Sequence, residues 1–162
     1  MSTAYLGIGS NVDVEHNIPA GVAALRKTFG DVRLSPVYRS VAVGFDGDDF
    51  INLVARVQTD MQPLELKDFL NALEDEHGRN RDQAKFSDRT LDIDILLYDD
   101  LYLTSPQLAL PRGEILQYAY VLRPLAELAP DLVHPVTRQP LAELWRAFEG
   151  ERSCLTAVDF PL

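Results

Sequence analysis

The spacing of apolar and polar positions changes from segment to segment along this chain, and each change marks an element. Residues 3–9 (TAYLGIG) form a short apolar run that stops at Gly9-Ser10-Asn11, as a buried strand does. Over about 15–29 the period lengthens: Ile18, Val22, Leu25 and Phe29 share a helical face and Gly30 ends it. Residues 32–43 (VRLSPVYRSVAV) are β-rich with Pro36 inside, which predicts an edge strand or a bulge. An acidic loop, 44–49 (GFDGDD), leads into a second long strand over 50–59. Pro63 suits the first turn of a helix over 63–77, with Leu66, Phe69, Leu70 and Leu73 on one face. Residues 91–98 (LDIDILLY) alternate cleanly and predict a strand. A hairpin-like piece around Tyr102 follows, then a helical stretch ending at Pro130. Last comes a helix near 140–149 whose Leu141, Leu144, Trp145 and Phe148 stripe belongs to the core.

The order β-α-β-β-α-β predicts an α+β fold, a ferredoxin-like antiparallel sheet with helices packed on it. No repeat, low-complexity run or linker divides the sequence, so a single domain over 1–162 is expected. With 46% hydrophobic and 25% charged residues, the chain has a globular composition rather than a disordered one. The net charge of −10 argues against nucleic-acid or anionic-membrane binding. No apolar run reaches the roughly 20 residues of a membrane span, and the N-terminus lacks a signal-peptide pattern. A cytoplasmic location is therefore expected. The single cysteine, Cys154, excludes an internal disulfide and reads as a small apolar filler beside Leu155 and Ala157. His16, His77 and His134 have no ligand-like spacing and read as surface or capping residues.

One stretch runs against the acidic trend. Residues 79–89 (RNRDQAKFSDR) hold Arg79, Arg81, Lys85 and Arg89 against Asp82 and Asp88. Such a cluster is either a solvated loop or a site for a small anion. Gly7-Ile8-Gly9-Ser10-Asn11 stands where a dinucleotide fingerprint would, but Val12 replaces its third glycine and no Gly-Lys-Ser/Thr follows. Those glycines read as a tight turn and close backbone packing. Asp92 and Asp94 carry more chemistry. Two apart in a strand, they share one face about 6–7 Å apart while Leu91, Ile93 and Ile95 take the other. Such a pair is either an ordinary solvent face or a seat for a hard cation. With Arg89 three residues upstream and the basic loop before it, it has the parts needed to hold a metal and a polyphosphate together.

Arg89-Thr90-Leu91-Asp92-Ile93-Asp94-Ile95-Leu96-Leu97-Tyr98 closely resembles the signature of the 6-hydroxymethyl-7,8-dihydropterin pyrophosphokinase family. Residues 4–11 resemble the family's opening strand and turn; 37–40 with Phe50-Ile51-Asn52 resemble its pterin-side segment. Glu74 with Gly78-Arg79-Asn80-Arg81, and residues 123–130, resemble its helix end and late helix. The resemblance implies transfer of pyrophosphate from ATP to the substrate's hydroxymethyl oxygen, with AMP as leaving group. By the same resemblance, Asp92 and Asp94 hold two magnesium ions and act in catalysis with Arg81 and Arg89. Glu74, Arg79, Arg81, Arg89, Ile95 and Arg112 would line the ATP side. Ser40, Val43, Phe50, Asn52, Phe86 and Tyr120 would line the pterin side, with Phe50 and Tyr120 sandwiching the ring and Asn52 reading its edge.

The sequence departs from the family at several points. Ser87-Asp88 replaces Gly-Pro before the signature arginine, and Phe86 stands where a tryptophan is common. Arg112 stands where the family carries a histidine that contacts ATP, and Tyr118 where it carries an arginine. The alternatives are a diverged paralogue acting on a different pterin and a non-catalytic pterin- or nucleotide-binding module. A pure pterin binder would have no use for the aspartate pair. The expected partners are small molecules, with no nucleic acid or membrane, and the expected state is a monomer.

Overall fold

The computed structural model describes residues 1–41, 47–78, 90–152 and 154–162, and strand β1 (Ser2–Ser10) has a neighbour on each side in its sheet. On one side β1 pairs antiparallel with β4 (Phe50–Thr59), and on the other with β5 (Asp92–Tyr98). β2 (Arg33–Leu34) and β3 (Val37–Ser40) both pair with β4, and Pro36 falls in the gap between them, where no ladder hydrogen bond is lost. The main path is β5-β1-β4-β3-β8, closed by β8 (Leu155–Val158), a strand the local sequence pattern does not predict. The piece around Tyr102 is a two-stranded ribbon of β6 (Leu103–Thr104) and β7 (Ala109–Leu110).

Two helices cover one face of the sheet. α1 (Val14–Phe29) buries Ile18, Val22 and Leu25, and α2 (Pro63–Glu76) buries Leu66, Leu70 and Leu73, all packed with Leu6, Ile8, Leu53, Ile93 and Ile95. Each such side chain contributes about 1.5–3 kcal/mol by leaving water. α2 begins with a capping box in which the Gln62 N–H donates to the Glu65 carboxylate at 3.1 Å.

The opposite face carries α3 (Ala119–Leu128) and the short α4 (Leu141–Arg146), packed on Tyr5, Val54 and Leu96. The C-terminal stripe is therefore less deeply buried than expected: Leu141 is sealed, while Leu144, Trp145 and Phe148 are only half-buried. The Arg152 guanidinium donates to the Trp145, Arg146 and Phe148 carbonyls, which closes the end of α4. Among the described residues no helix is long and apolar enough to cross a membrane.

Candidate active site

The register of the central strands sets out the site. Gly9 pairs with Asp92 of β5 on one side and with Asn52 of β4 on the other, and Gly7 pairs with Asp94 and Val54. Cross-strand partners share a face, so Asp92, Gly9 and Asn52 form one row and Tyr38 extends it on β3. Both carboxylates face the α3 side of the sheet, and Leu91, Ile93 and Ile95 face α1 and α2, as the alternation requires. The glycines do not form the turn that their sequence suggests. Both lie inside β1, where their missing side chains let neighbouring side chains come close to the strand. A Cβ on Gly9 would stand 2.9 Å from Asn52 Oδ1, and one on Gly7 would stand 3.3 Å from a Leu96 methyl. The close-packing half of the expectation holds.

A 3-10 turn, Gly113–Leu116, brings further charge to the aspartates. Its N-cap is Arg112, whose N–H donates to the Leu96 carbonyl at 2.9 Å and so ties the turn to β5. Arg112 Nη2 donates to Glu114 Oε1 at 2.9 Å and lies 3.7 Å from Asp94 Oδ2. Arg112 Nε is buried and has no acceptor among the described residues. Burial works against the guanidinium charge, but Asp94 and Glu114 more than offset it and hold the arginine above its ordinary value. Asp94 keeps 31% of its side chain exposed, so its carboxyl is crowded by protein yet open to solvent on one side. Burial and then the Asp92 charge push it up to about 8, and Arg112 opposes them.

This arrangement suits a divalent cation. Two carboxylates on one face, one of them holding its proton far above the usual range, would both be relieved by a bound positive charge. Among the described residues no group of three or more carboxylate, histidine or cysteine side chains could hold a metal alone. A cation here would complete its shell with water and phosphate oxygens, which is the habit of magnesium.

The other end of the row is aromatic and amide in character. Asn52 Nδ2 donates to Ser40 Oγ at 2.6 Å, with both side chains buried, so Ser40 fixes the plane of the amide. Phe50 lies two residues before Asn52 and thus on the same face, its ring edge 3.8 Å from the Gly9 Cβ position. Tyr120, on the first turn of α3, stacks on Tyr118 with ring centroids 5.2 Å apart and planes at 26°. Its hydroxyl is held far above the ordinary tyrosine value by burial first, and then by Glu114, Tyr118, Asp92 and Asp94. Tyr120 therefore feels the charge of all three carboxylates. Next along the row, Tyr38 donates to Glu127 and lies under Arg123, 4.8 Å from guanidinium to ring centre. Burial and Glu127 push its hydroxyl up to about 12, so it stays a neutral donor.

Of the residues expected at the site, the metal-side Asp92 and Asp94, the ATP-side Arg112 and the pterin-side Tyr120, Phe50 and Asn52 share this face, and Ser40 supports Asn52. Glu74 and Ile95 lie elsewhere. Glu74 is buried under the open edge of β5, where its Oε2 accepts the Ile93 N–H at 2.7 Å. Ile95 points its side chain into the α1 and α2 core and is 3% exposed, because it is out of phase with the aspartates. Val43, Arg79, Arg81, Phe86 and Arg89 lie outside the described residues. Sequence reasoning missed Glu114, although its position two residues after Arg112 was a usable signal.

One further expectation also needs adjustment. His134 is not a surface residue: it is 2% exposed, though it does cap, its Nδ1 accepting the Val136 and Thr137 N–H groups at 3.2 Å. A cleft of about 360 Å³ near the start of α1, lined by Asp13, Glu15, Asp48 and Asp49 with Arg39, lies away from the aspartate pair. Its charge is wrong for a polyphosphate.

Comparison with known proteins agrees with this geometry. Residues 5–130 match the model of the 7,8-dihydro-6-hydroxymethylpterin-pyrophosphokinase (HPPK) family. The chain is 42% identical over 153 residues to the 2-amino-4-hydroxy-6-hydroxymethyldihydropteridine pyrophosphokinase of Pseudomonas aeruginosa, covering 90% of this chain and 93% of that one. It is 38% identical over 144 residues to the folic acid synthesis protein fol1 of Schizosaccharomyces pombe, covering 86% of this chain but only 20% of that longer protein. The wild-type HPPK-DHPS structure of Plasmodium falciparum shares the fold, with a TM-score of 0.71 at 14% identity over 90% of this chain and 40% of that one.

Proposed function

The chain belongs to the 7,8-dihydro-6-hydroxymethylpterin-pyrophosphokinase family, and from that premise we propose how its own residues carry out the transfer. The reaction moves a pyrophosphoryl group from ATP to the hydroxymethyl oxygen of 6-hydroxymethyl-7,8-dihydropterin and releases AMP. The observation that carries the assignment of roles is the row Asp92, Gly9, Asn52: carboxylates at one end, a fixed amide at the other, and no side chain between them.

Asp92 and Asp94 hold the magnesium ions, two of them, that accompany ATP. The metal supplies charge neutralisation of the triphosphate and polarises the phosphoryl oxygens. Arg112 lies beside this pair with an unused buried Nε–H and binds a phosphate oxygen, a role suited to a guanidinium that stays charged throughout. Arg81 and Arg89 supply further cations from the preceding loop, joined on the nucleotide side by Arg79, while Val43 and Phe86 complete the pterin side.

Asn52 orients the pterin through paired amide hydrogen bonds, in a plane set by Ser40. Phe50 and Tyr120 take the flat ring between them and exclude water from the reacting oxygen. Holding that oxygen close to the β-phosphorus accounts for much of the rate, because such positioning replaces a costly bimolecular encounter. The protein works as a cytoplasmic monomer on small-molecule substrates.

The test is AMP release from ATP and magnesium, measured with and without 6-hydroxymethyl-7,8-dihydropterin. Pterin-dependent AMP in the wild type, lost in Asp92→Asn and Asp94→Asn, is the expected result. Full activity in either variant would remove the metal role from that residue, and ATP left intact in the wild type would refute the reading.

A further inference from the structure

Glu114 lies within the candidate site but has no part in the transfer just described. Its carboxylate takes the Arg112 guanidinium at 2.9 Å, while the same Nη2 stays 3.7 Å from Asp94. The longer distance is outside hydrogen-bonding range, so Arg112 is committed to Glu114 and only neighbours Asp94. Both side chains are partly buried, at 30% and 25% exposure, where such a pair is less screened than on an open surface. The backbone of Arg112 is anchored beside Asp94, because its N–H is bound to the carbonyl of Leu96, two residues beyond Asp94 on the same strand. Among the described residues, Asp94 is the other carboxylate within 4 Å of the guanidinium.

Resting on the site assigned above, we propose that Glu114 is a positioning residue that holds Arg112 off Asp94. It keeps the Asp94 carboxylate open to magnesium and turns the Arg112 Nε–H toward a phosphate oxygen. The two cations that need Asp94, one from the protein and one from solution, are thereby kept from competing for it. If Glu114 is lost, Arg112 closes onto Asp94 and becomes a built-in competitor of the metal.

The experiment counts manganese binding by electron paramagnetic resonance in the presence of a non-hydrolysable α,β-methylene analogue of ATP. Wild type, Glu114→Ala, Arg112→Ala and the double variant form a cycle, with Glu114→Asp as the conservative replacement. Glu114→Ala is expected to weaken manganese binding by about tenfold, and removing Arg112 in that background to recover most of the loss. Read at saturating analogue, so that the lost phosphate contact is offset, removing Arg112 from the wild type should change manganese binding far less than Glu114→Ala does, because Arg112 is not on Asp94 there. Glu114→Asp should stay within about threefold of wild type, since a carboxylate still anchors the guanidinium.

Strictly additive effects around the cycle, or an unchanged affinity in Glu114→Ala, would overturn the proposal, because a bystander charge acts the same in either background. If Glu114→Ala does not fold, Glu114→Gln keeps the shape without the charge, and the same coupling is read from it. Manganese binding that is identical in wild type and Asp94→Asn would refute the underlying site assignment, and this proposal with it.

Discussion

Asn52 Oδ1 stands 2.9 Å from the point that a Cβ on Gly9 would occupy, so the amide occupies space that only glycine leaves open. The contact is with the one polar atom of Asn52 that Ser40 does not bind. Gly9→Ala is expected to push the amide out of its plane, raise KM for the pterin by about tenfold and cost about 1–3 kcal/mol of stability. Gly7→Ala should be milder, since the nearest atom at 3.3 Å is the end of a flexible leucine. Steady-state kinetics with each substrate varied in turn, alongside thermal unfolding, separates the two. An unaltered pterin KM in Gly9→Ala would dissociate Asn52 from pterin binding.

Tyr118 covers one face of Tyr120, and in the function proposed above the substrate ring stacks on the other. Tyr120→Phe keeps that surface and should leave pterin binding within about twofold, because stacking depends on the ring. Tyr120→Ala should weaken it by about tenfold or more, since a stacked aromatic contributes beyond its buried area. Tyr118→Ala should fall between them, as it frees Tyr120 without removing it. Pterin fluorescence titration gives the three affinities. A large loss in Tyr120→Phe would move the role from the ring to the hydroxyl.

The parts of this molecule that were legible in the sequence are those that depend on local period. Asp92 and Asp94 alternate with Ile93 and Ile95, and that alone put the carboxylates on one face and the aliphatic chains in the core. The helix under Leu66, Leu70 and Leu73 was equally plain. What escaped depends on partners distant in sequence. Gly9 before Ser10-Asn11 has the composition of a turn, and only the register with Asp92 and Asn52 makes it a strand residue. β8 is four residues long and exists because Val37–Ser40 offers it an edge. Ile95 was assigned to ATP by resemblance, and its phase in the strand puts its side chain in the core, so a contact with ATP there would come from its backbone. Glu114 matters only through where Arg112 lies relative to Asp94, which is a distance rather than a pattern.

His134 is buried with its Nδ1 accepting two backbone N–H groups, so the neutral ring with its proton on Nε2 is the form the fold requires. Burial lowers its pKa below the ordinary 6.5. The unfolded chain therefore takes up a proton that the folded chain resists, and the contribution of this residue is present above pH 6.5 and lost as pH falls below it. Thermal midpoints should fall in the wild type from about pH 7.5 to about pH 5, on either side of that value. His134→Asn can still accept from the backbone without titrating, so it should flatten this slope, whereas His134→Ala should cost about 1–3 kcal/mol at every pH. An equal slope in His134→Asn would assign the effect to another group.

Asp94 titrates in the opposite sense. Its carboxyl is pushed up to about 8 in the folded protein from an ordinary 3.8, so the folded state binds a proton that the unfolded chain gives up. Its contribution to stability is complete below the unfolded value and is lost as pH rises through about 8. The metal-free protein, kept so with a chelator, should therefore lose thermal stability across that window. Asp94→Asn cannot acquire the charge and should raise the metal-free midpoint at pH 8 by on the order of 5 °C. The same proton competes with magnesium, so the magnesium concentration needed for half-maximal AMP release should fall as pH rises toward 8. Asp94→Asn is thus expected to be the more stable protein and the inactive one, which distinguishes a metal ligand from a structural carboxylate. An inactive Asp94→Asn that is also less stable at pH 8 would mean that the carboxylate supports the fold rather than the metal.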